Sequence, residues 1–158
     1  MKAVSVVEIK KELNHLSTEE LIQLCLRLSK FKKENKELLT YLLFESYNET
    51  GYIDSVKAYV DEQFELINTN SYFYIKKSVR KILRNIKKFA RYSLKKETEV
   101  ELLIYFCQKL KDFKPSIKHN VTLTNIFQRQ ILLCKKIVST LHEDLQYDYT
   151  LLLNELND

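Results

Sequence analysis

The sequence predicts an all-α protein, and three observations support this fold class. Apolar residues recur at helical spacing along almost the whole 158-residue chain, and alternating strand-like runs are not visible. The single glycine and single proline are too few for the turns of a β-sandwich or barrel of this length. Hydrophobic residues make up 45% of the chain, which is enough for a core and argues against general disorder. We therefore expect seven to eight helices, joined by short linkers into antiparallel hairpins.

The first half of the chain contains four predicted helices. Helix one runs from about Ser5 to His15, and Ser17 with Glu20 predicts a capping box at the start of helix two. The polar residues 32–35 separate helix two from helix three, which carries apolar residues at 38, 39, 42 and 43. We assign Gly51 to a helix C-cap or turn, with helix four after it.

The second half contains three or four predicted helices. Helix five covers about 72–94, and helix six covers about 98–113 and stops before Pro115. Helix seven starts near Asn120, and residues 145–156 either continue it or form an eighth helix.

A possible internal repeat places helix two over helix six. A shift of 82 residues gives seven identities in the fourteen positions from Glu19 to Lys32. Chance agreement between two amphipathic helices is the alternative. A true repeat favours one domain, 1–158, made of two related halves at about 1–68 and 71–158. These halves would stack as a short α–α array (a HEAT-like superhelix) rather than form a closed helical bundle.

Several classes of protein find no support in the sequence. The N-terminus lacks the apolar region of a secretory signal, and no apolar run approaches the roughly 18 residues that span a bilayer. Cys25, Cys107 and Cys134 lie far apart within apolar stretches, so we predict reduced thiols that act as small core residues. We expect a cytoplasmic protein with no integral membrane association.

No catalytic or metal-binding set is complete. Glu12 and His15 have the spacing of a di-metal carboxylate site, but the second copy that such a site needs is missing. The cluster His142-Glu143-Asp144 is either a solvated helix end or a group that orients a ligand or moves a proton. We predict no enzyme activity, no catalytic residue, no metal and no cofactor.

The strongest local signal is the charge of helix five. Residues 66–96 contain ten Lys and Arg residues and no Asp or Glu, whereas the whole chain carries a net charge of +5. At about 100° per residue, eight of the cations share an arc of about 140°, and the apolar residues lie on the opposite side. We call these eight cations the basic strip: Lys76, Lys77, Arg80, Lys81, Arg84, Lys87, Lys88 and Arg91.

Four interpretations of the basic strip stay open. It is a solvated face or one neutralised by nearby acids (Glu62, Glu65, Glu97, Glu99, Glu101), or it binds nucleic acid, an acidic protein or an anionic membrane surface. Tyr74 and Tyr92 border the strip, where they either stack on bases or cover core edges. The leading hypothesis is a non-enzymatic protein that binds a polyanion, with nucleic acid ahead of an acidic protein. The alternative is a structural or protein-interaction module.

Three stretches carry a resemblance to a known family. They are 13–21 (LNHLSTEEL), 31–39 (FKKENKELL) and 75–84 (IKKSVRKILR). Together they resemble an uncharacterised family of small all-helical bacterial proteins with no assigned function. The resemblance covers most of the chain and implies a bacterial cytoplasmic protein, but it supplies no site residues.

Overall fold

The computed structural model describes residues 1–157, and its architecture is all-α, which confirms the predicted fold class. The chain also contains a π-helical turn at Tyr41–Glu45, before the fourth α-helix, and a 3₁₀ turn at Ile117–His119, before the seventh. Within the described residues there are eight α-helices: α1 (Val6–Leu13), α2 (Thr18–Phe31), α3 (Lys33–Thr40), α4 (Glu49–Glu65), α5 (Tyr72–Ser93), α6 (Lys96–Asp112), α7 (Val121–Val138) and α8 (Glu143–Asn157).

The local signals for helix starts are correct at Ser17 but wrong at two other places. Residues 32–35 were predicted to separate helices two and three, but α3 already begins at Lys33, so only Lys32 lies between them. The Ser17 backbone N–H donates to the Glu20 carboxylate at 2.8 Å, and the Glu20 N–H donates to Ser17 Oγ at 3.3 Å, so the predicted capping box forms. The assignment of Gly51 to a C-cap or turn is wrong, because Gly51 lies in the first turn of α4. The Asn48 side chain caps this helix by accepting a bond from the Gly51 N–H at 3.1 Å.

The chain divides into two compact units, Met1–Phe44 and a second that begins at Glu45. The boundary between these units lies within the π-helical turn Tyr41–Glu45. The single domain and its two-fold repeat stay predictions.

The first unit is a set of short helices, and among residues 1–44 only Tyr41, in the π-helical turn, is buried. None of the side chains of α1, α2 or α3 is buried, although α2 packs against α3. The prediction that all three thiols lie in the core is therefore wrong for Cys25, which is exposed on α2. The physical reason is that α2 packs mainly against α3, and one helix covers only part of the apolar surface of another.

The second unit is built around α6, which packs against α4, α5, α7 and α8. Apolar residues surround this helix on most sides, and Leu102, Leu103 and Phe106 have no solvent exposure. Cys107 and Cys134 are also fully buried, as predicted for them. Burial raises the pKa of both thiols, to about 12 for Cys134, so neither is a reactive thiolate at neutral pH.

The helices of the second unit alternate in direction. Tyr52 and Tyr59 of α4 hydrogen bond to Phe89 and Asn85 of α5, so these two helices are antiparallel, as predicted. The α4 and α6 helices run in the same direction, because Lys57 meets Glu101 and Asp61 meets Tyr105, each pair 44 residues apart.

The same spacing recurs between α6 and α8. Residues 101, 104, 105 and 108 of α6 share a cleft with residues 145, 148, 149 and 152 of α8, each 44 residues further along the chain. The helices α4, α6 and α8 also begin 47 residues apart, at Glu49, Lys96 and Glu143. A period in this range is typical of α–α arrays. The separations of 44 and 47 residues fall in this range, and the 82-residue repeat stays a prediction.

Candidate functional site

The α5 helix has one buried face and one cationic face. Its buried residues are spaced three or four apart, which is the period of a core-facing stripe: Ile75, Val79, Ile82, Ile86 and Ala90. The cations of the basic strip lie elsewhere on the helix surface. Five of them are exposed (Lys77, Arg80, Lys81, Arg84 and Arg91), and three are half-buried (Lys76, Lys87 and Lys88).

Within residues 1–157, most cations of the basic strip make no ion pair. Among residues 1–157, no ion pair of 4.0 Å or less involves seven of its cations: Lys76, Lys77, Arg80, Lys81, Arg84, Lys87 and Arg91. Lys88 differs, because its Nζ lies 4.9 Å from the centre of the Phe89 ring and it makes a further interaction.

The acids that we considered as internal partners are placed differently. Glu101 pairs with Lys57 at 2.6 Å instead of with a strip cation. Glu99 lies close enough to the strip to lower its net potential, because it shares a groove with Arg80 and Arg84. One carboxylate beside four cations leaves that groove positively charged.

This groove gives the basic strip a shape that the sequence did not predict. It has a volume of about 480 Å³. One wall is the α5 helix with four strip cations and Leu83, and α6 contributes Glu99. The other wall is α7, which contributes Ile126 and Leu133. We call this feature the basic groove, and its lining is Arg80, Leu83, Arg84, Lys87, Arg91, Glu99, Ile126 and Leu133.

The two tyrosines predicted to border the strip lie outside the basic groove. Tyr74 is 47% exposed, and its ring packs edge-on against Phe73 with centroids 5.4 Å apart. Tyr92 is half-buried, with its ring centroid 6.1 Å from that of Phe89. Neither tyrosine lines the groove, so any stacking on them would take place beside it.

A second polar cluster, between α4 and α6, was missed by sequence reasoning. The Tyr105 hydroxyl donates to Asp61 at 2.6 Å, and Lys109 Nζ lies 2.8 Å from the same carboxylate. Burial and the negative charge of Asp61 raise the pKa of Tyr105 to about 12. Burial also acts to raise the pKa of Asp61, but the bonds from Lys109 and Tyr105 outweigh it, and the pKa is lowered.

This cluster is saturated with its own partners. Both carboxylates, Asp61 and Glu101, already accept short bonds from lysines, Lys109 and Lys57 respectively. The sequence signal for this cluster is its spacing: the polar residues lie four apart on each helix, at 57 and 61 on α4 and at 101, 105 and 109 on α6. That signal becomes visible only once the two helices are known to run in the same direction.

The remaining candidate groups from the sequence do not form a catalytic or metal site among the described residues. His142 and Asp144 lie 3.6 Å apart, with their side chains 76% and 92% exposed, at the start of α8. In the part of the chain that the structure describes, no three His, Cys, Asp or Glu side chains are placed to hold a metal ion. None of the helices described has the length and apolar character needed to cross a membrane.

Comparison with known proteins finds no matching family model, no similar curated protein and no similar solved structure. The resemblance to a bacterial family therefore stays a prediction, and the argument for function depends on the basic strip and groove alone.

Proposed function

We propose that the protein is a non-enzymatic protein that binds nucleic acid through the basic strip of α5. The observation that carries this proposal is a set of seven cations on one helix face that make no ion pair with any of the described residues 1–157. Like charges at i,i+4 on a helix repel each other by a few tenths of a kcal/mol per pair. A polyanion offsets that repulsion, and phosphate groups supply negative charge at a matching density.

The basic groove supports the interpretation that the strip binds phosphate groups rather than the interpretation that it is simply a solvated face. Arg80, Arg84, Lys87 and Arg91 line one wall together, so an anionic chain lying in the groove meets four cations. Arginine also binds phosphate through two parallel N–H donors, whereas lysine acts as a point charge. An acidic protein partner is the alternative, because its carboxylates would find the same cations.

The test is binding of single-stranded and duplex RNA and DNA, measured by fluorescence anisotropy between about 50 and 200 mM salt. If four phosphates are neutralised, the affinity falls about 50-fold over this range for a single strand and about 150-fold for duplex DNA. A variant with Arg80→Ala, Arg84→Ala and Arg91→Ala should lose most of the binding and most of the salt dependence.

A matched control removes three positive charges from the first unit, with Lys10→Ala, Lys11→Ala and Lys30→Ala. These lysines are exposed and lie outside the basic strip. The control should retain the affinity of the wild-type protein within a few-fold. Absence of binding by the wild type at 50 mM salt, or equal losses in both triple variants, would overturn the nucleic-acid proposal.

A further inference from the structure

The exposed apolar surface of the first unit is the feature that its own fold leaves unexplained. Fourteen large apolar side chains between residues 4 and 44 stay at least 37% exposed. Short helices gain most of their stability in water from packing an apolar face, and this unit buries no side chain of its three helices. A unit of this size usually needs oligomerisation or another external support.

The α2–α3 hairpin concentrates part of this surface on one side. A groove of about 240 Å³ between the two helices is lined by Cys25, Leu28, Ser29, Asn35, Leu38, Leu39 and Leu42. On a helical wheel, Leu24 and Phe31 fall on the same side of α2 as Leu28. We call the following residues the hairpin face: Leu24, Cys25, Leu28, Phe31 and Leu38.

We propose that the hairpin face is a homodimer interface, in which the α2–α3 hairpin of one chain packs against that of a second copy. The four large side chains of the face are 37–79% exposed, which corresponds to roughly 400 Å² of apolar surface per chain. Because a little over half of a protein interface is usually non-polar, two such faces correspond to an interface of roughly 1,400 Å², within the range of about 1,200–2,000 Å² that stable protein interfaces bury.

The charges around the hairpin face fit a second copy of the same chain. No charged residue lines the groove beside the hairpin face, and its polar lining residues are Cys25, Ser29 and Asn35. Glu20 and Arg27 flank the face on the same edge of α2, two turns apart. In an antiparallel pairing of two α2 helices with the two-fold axis beside residues 23 and 24, Glu20 of each chain comes towards Arg27 of the other and the two Leu24 side chains meet near the axis. A surface that complements itself in this way is what a two-fold interface requires.

The test is the mass of the full-length protein by sedimentation equilibrium at concentrations from about 1 to 100 μM. We expect a mass twice the 18.9 kDa of one chain at the upper end of this range. The double variant Leu28→Glu and Phe31→Glu should sediment as a monomer. The control Leu132→Glu, at an exposed leucine of α7, should still form the dimer.

A second measurement keeps the test decisive if the double variant fails to fold. Cys25 is the only exposed cysteine of the three. A bifunctional maleimide should therefore join two wild-type chains through Cys25 and leave the Cys25→Ser variant unlinked. A wild-type protein that stays monomeric at 100 μM would overturn the proposal. So would a folded double variant that remains dimeric, or cross-linking that survives Cys25→Ser.

Discussion

Charge reversal in the middle of the basic strip should stabilise the protein. Arg84 is exposed and has four basic neighbours about one turn away: Arg80 and Lys88 at four residues, and Lys81 and Lys87 at three. Arg84→Glu turns each of these repulsions into an attraction. At about 0.2–0.5 kcal/mol per pair, and allowing for solvent screening, the free energy of unfolding should rise by about 1–2 kcal/mol at low salt.

The assay is urea unfolding followed by circular dichroism, at about 20 mM and about 500 mM salt. The gain should shrink at high salt, because screening at that ionic strength weakens interactions between exposed charges. Arg129→Glu on α7 is the matched control. It makes the same chemical change at an exposed site with no charged residue three or four positions away. Its effect should stay within about 0.5 kcal/mol.

One result would refute this reasoning. If Arg84→Glu is no more stable than Arg129→Glu at low salt, the positive charges are already compensated within the fold. The basic strip would then no longer be evidence for an external polyanion. If the Arg84→Glu variant is more stable than the wild type but binds nucleic acid more weakly, the wild-type strip sacrifices stability for binding.

Three further predictions concern other parts of the molecule. Asp61→Asn should destabilise the protein at neutral pH. The pKa of Asp61 is lower in the folded protein than its ordinary value of 3.8, so the ionised carboxylate stabilises the fold at any pH above 3.8. This stabilisation is lost as the pH falls through the folded-state pKa. The difference from the wild type in urea unfolding should therefore disappear in acid, and a constant difference would contradict the assignment. Leu94→Gly should raise the free energy of unfolding by up to about 1 kcal/mol, since Leu94 is 84% exposed and ends α5 with a φ of 60°, which favours glycine. A lower thermal midpoint would show that this backbone conformation carries no strain. A thiol reagent should modify Cys25 alone in the native protein, because Cys107 and Cys134 are buried with raised pKa values. Modification of all three thiols at one rate would contradict the described core.

Local patterns predicted the secondary structure well where a helix had both a clear apolar period and a start signal. The capping box at Ser17 and the bounds of α5 are examples. Gly51 was misassigned because glycine occurs both at the ends and at the starts of helices. Its place at the start of α4 follows from the Asn48 side chain, which accepts a hydrogen bond from the Gly51 N–H. Cys25 was misassigned because an apolar sequence context predicts a buried thiol only if another element covers it.

The candidate site was predictable in part. The two faces of α5 follow from the 3.6-residue period, so the cations that line the groove could be named from the sequence. The residues opposite them on α7, Ile126 and Leu133, lie about 40 residues further along the chain. No local pattern connects them to α5.

The sequence by itself thus determined the helices and the concentration of positive charge on one side of α5, because both depend on neighbours three and four residues apart. The tertiary structure alone decided which acids pair with which bases. It places Glu101 with Lys57 and Asp61 with Lys109, and in the described part of the chain it gives most cations of the basic strip no ion pair. It also decided that α6 lies inside the second unit while α2 stays exposed. These outcomes depend on which helices pack together over long separations in the chain, and the periodicity of a single helix carries no information about that.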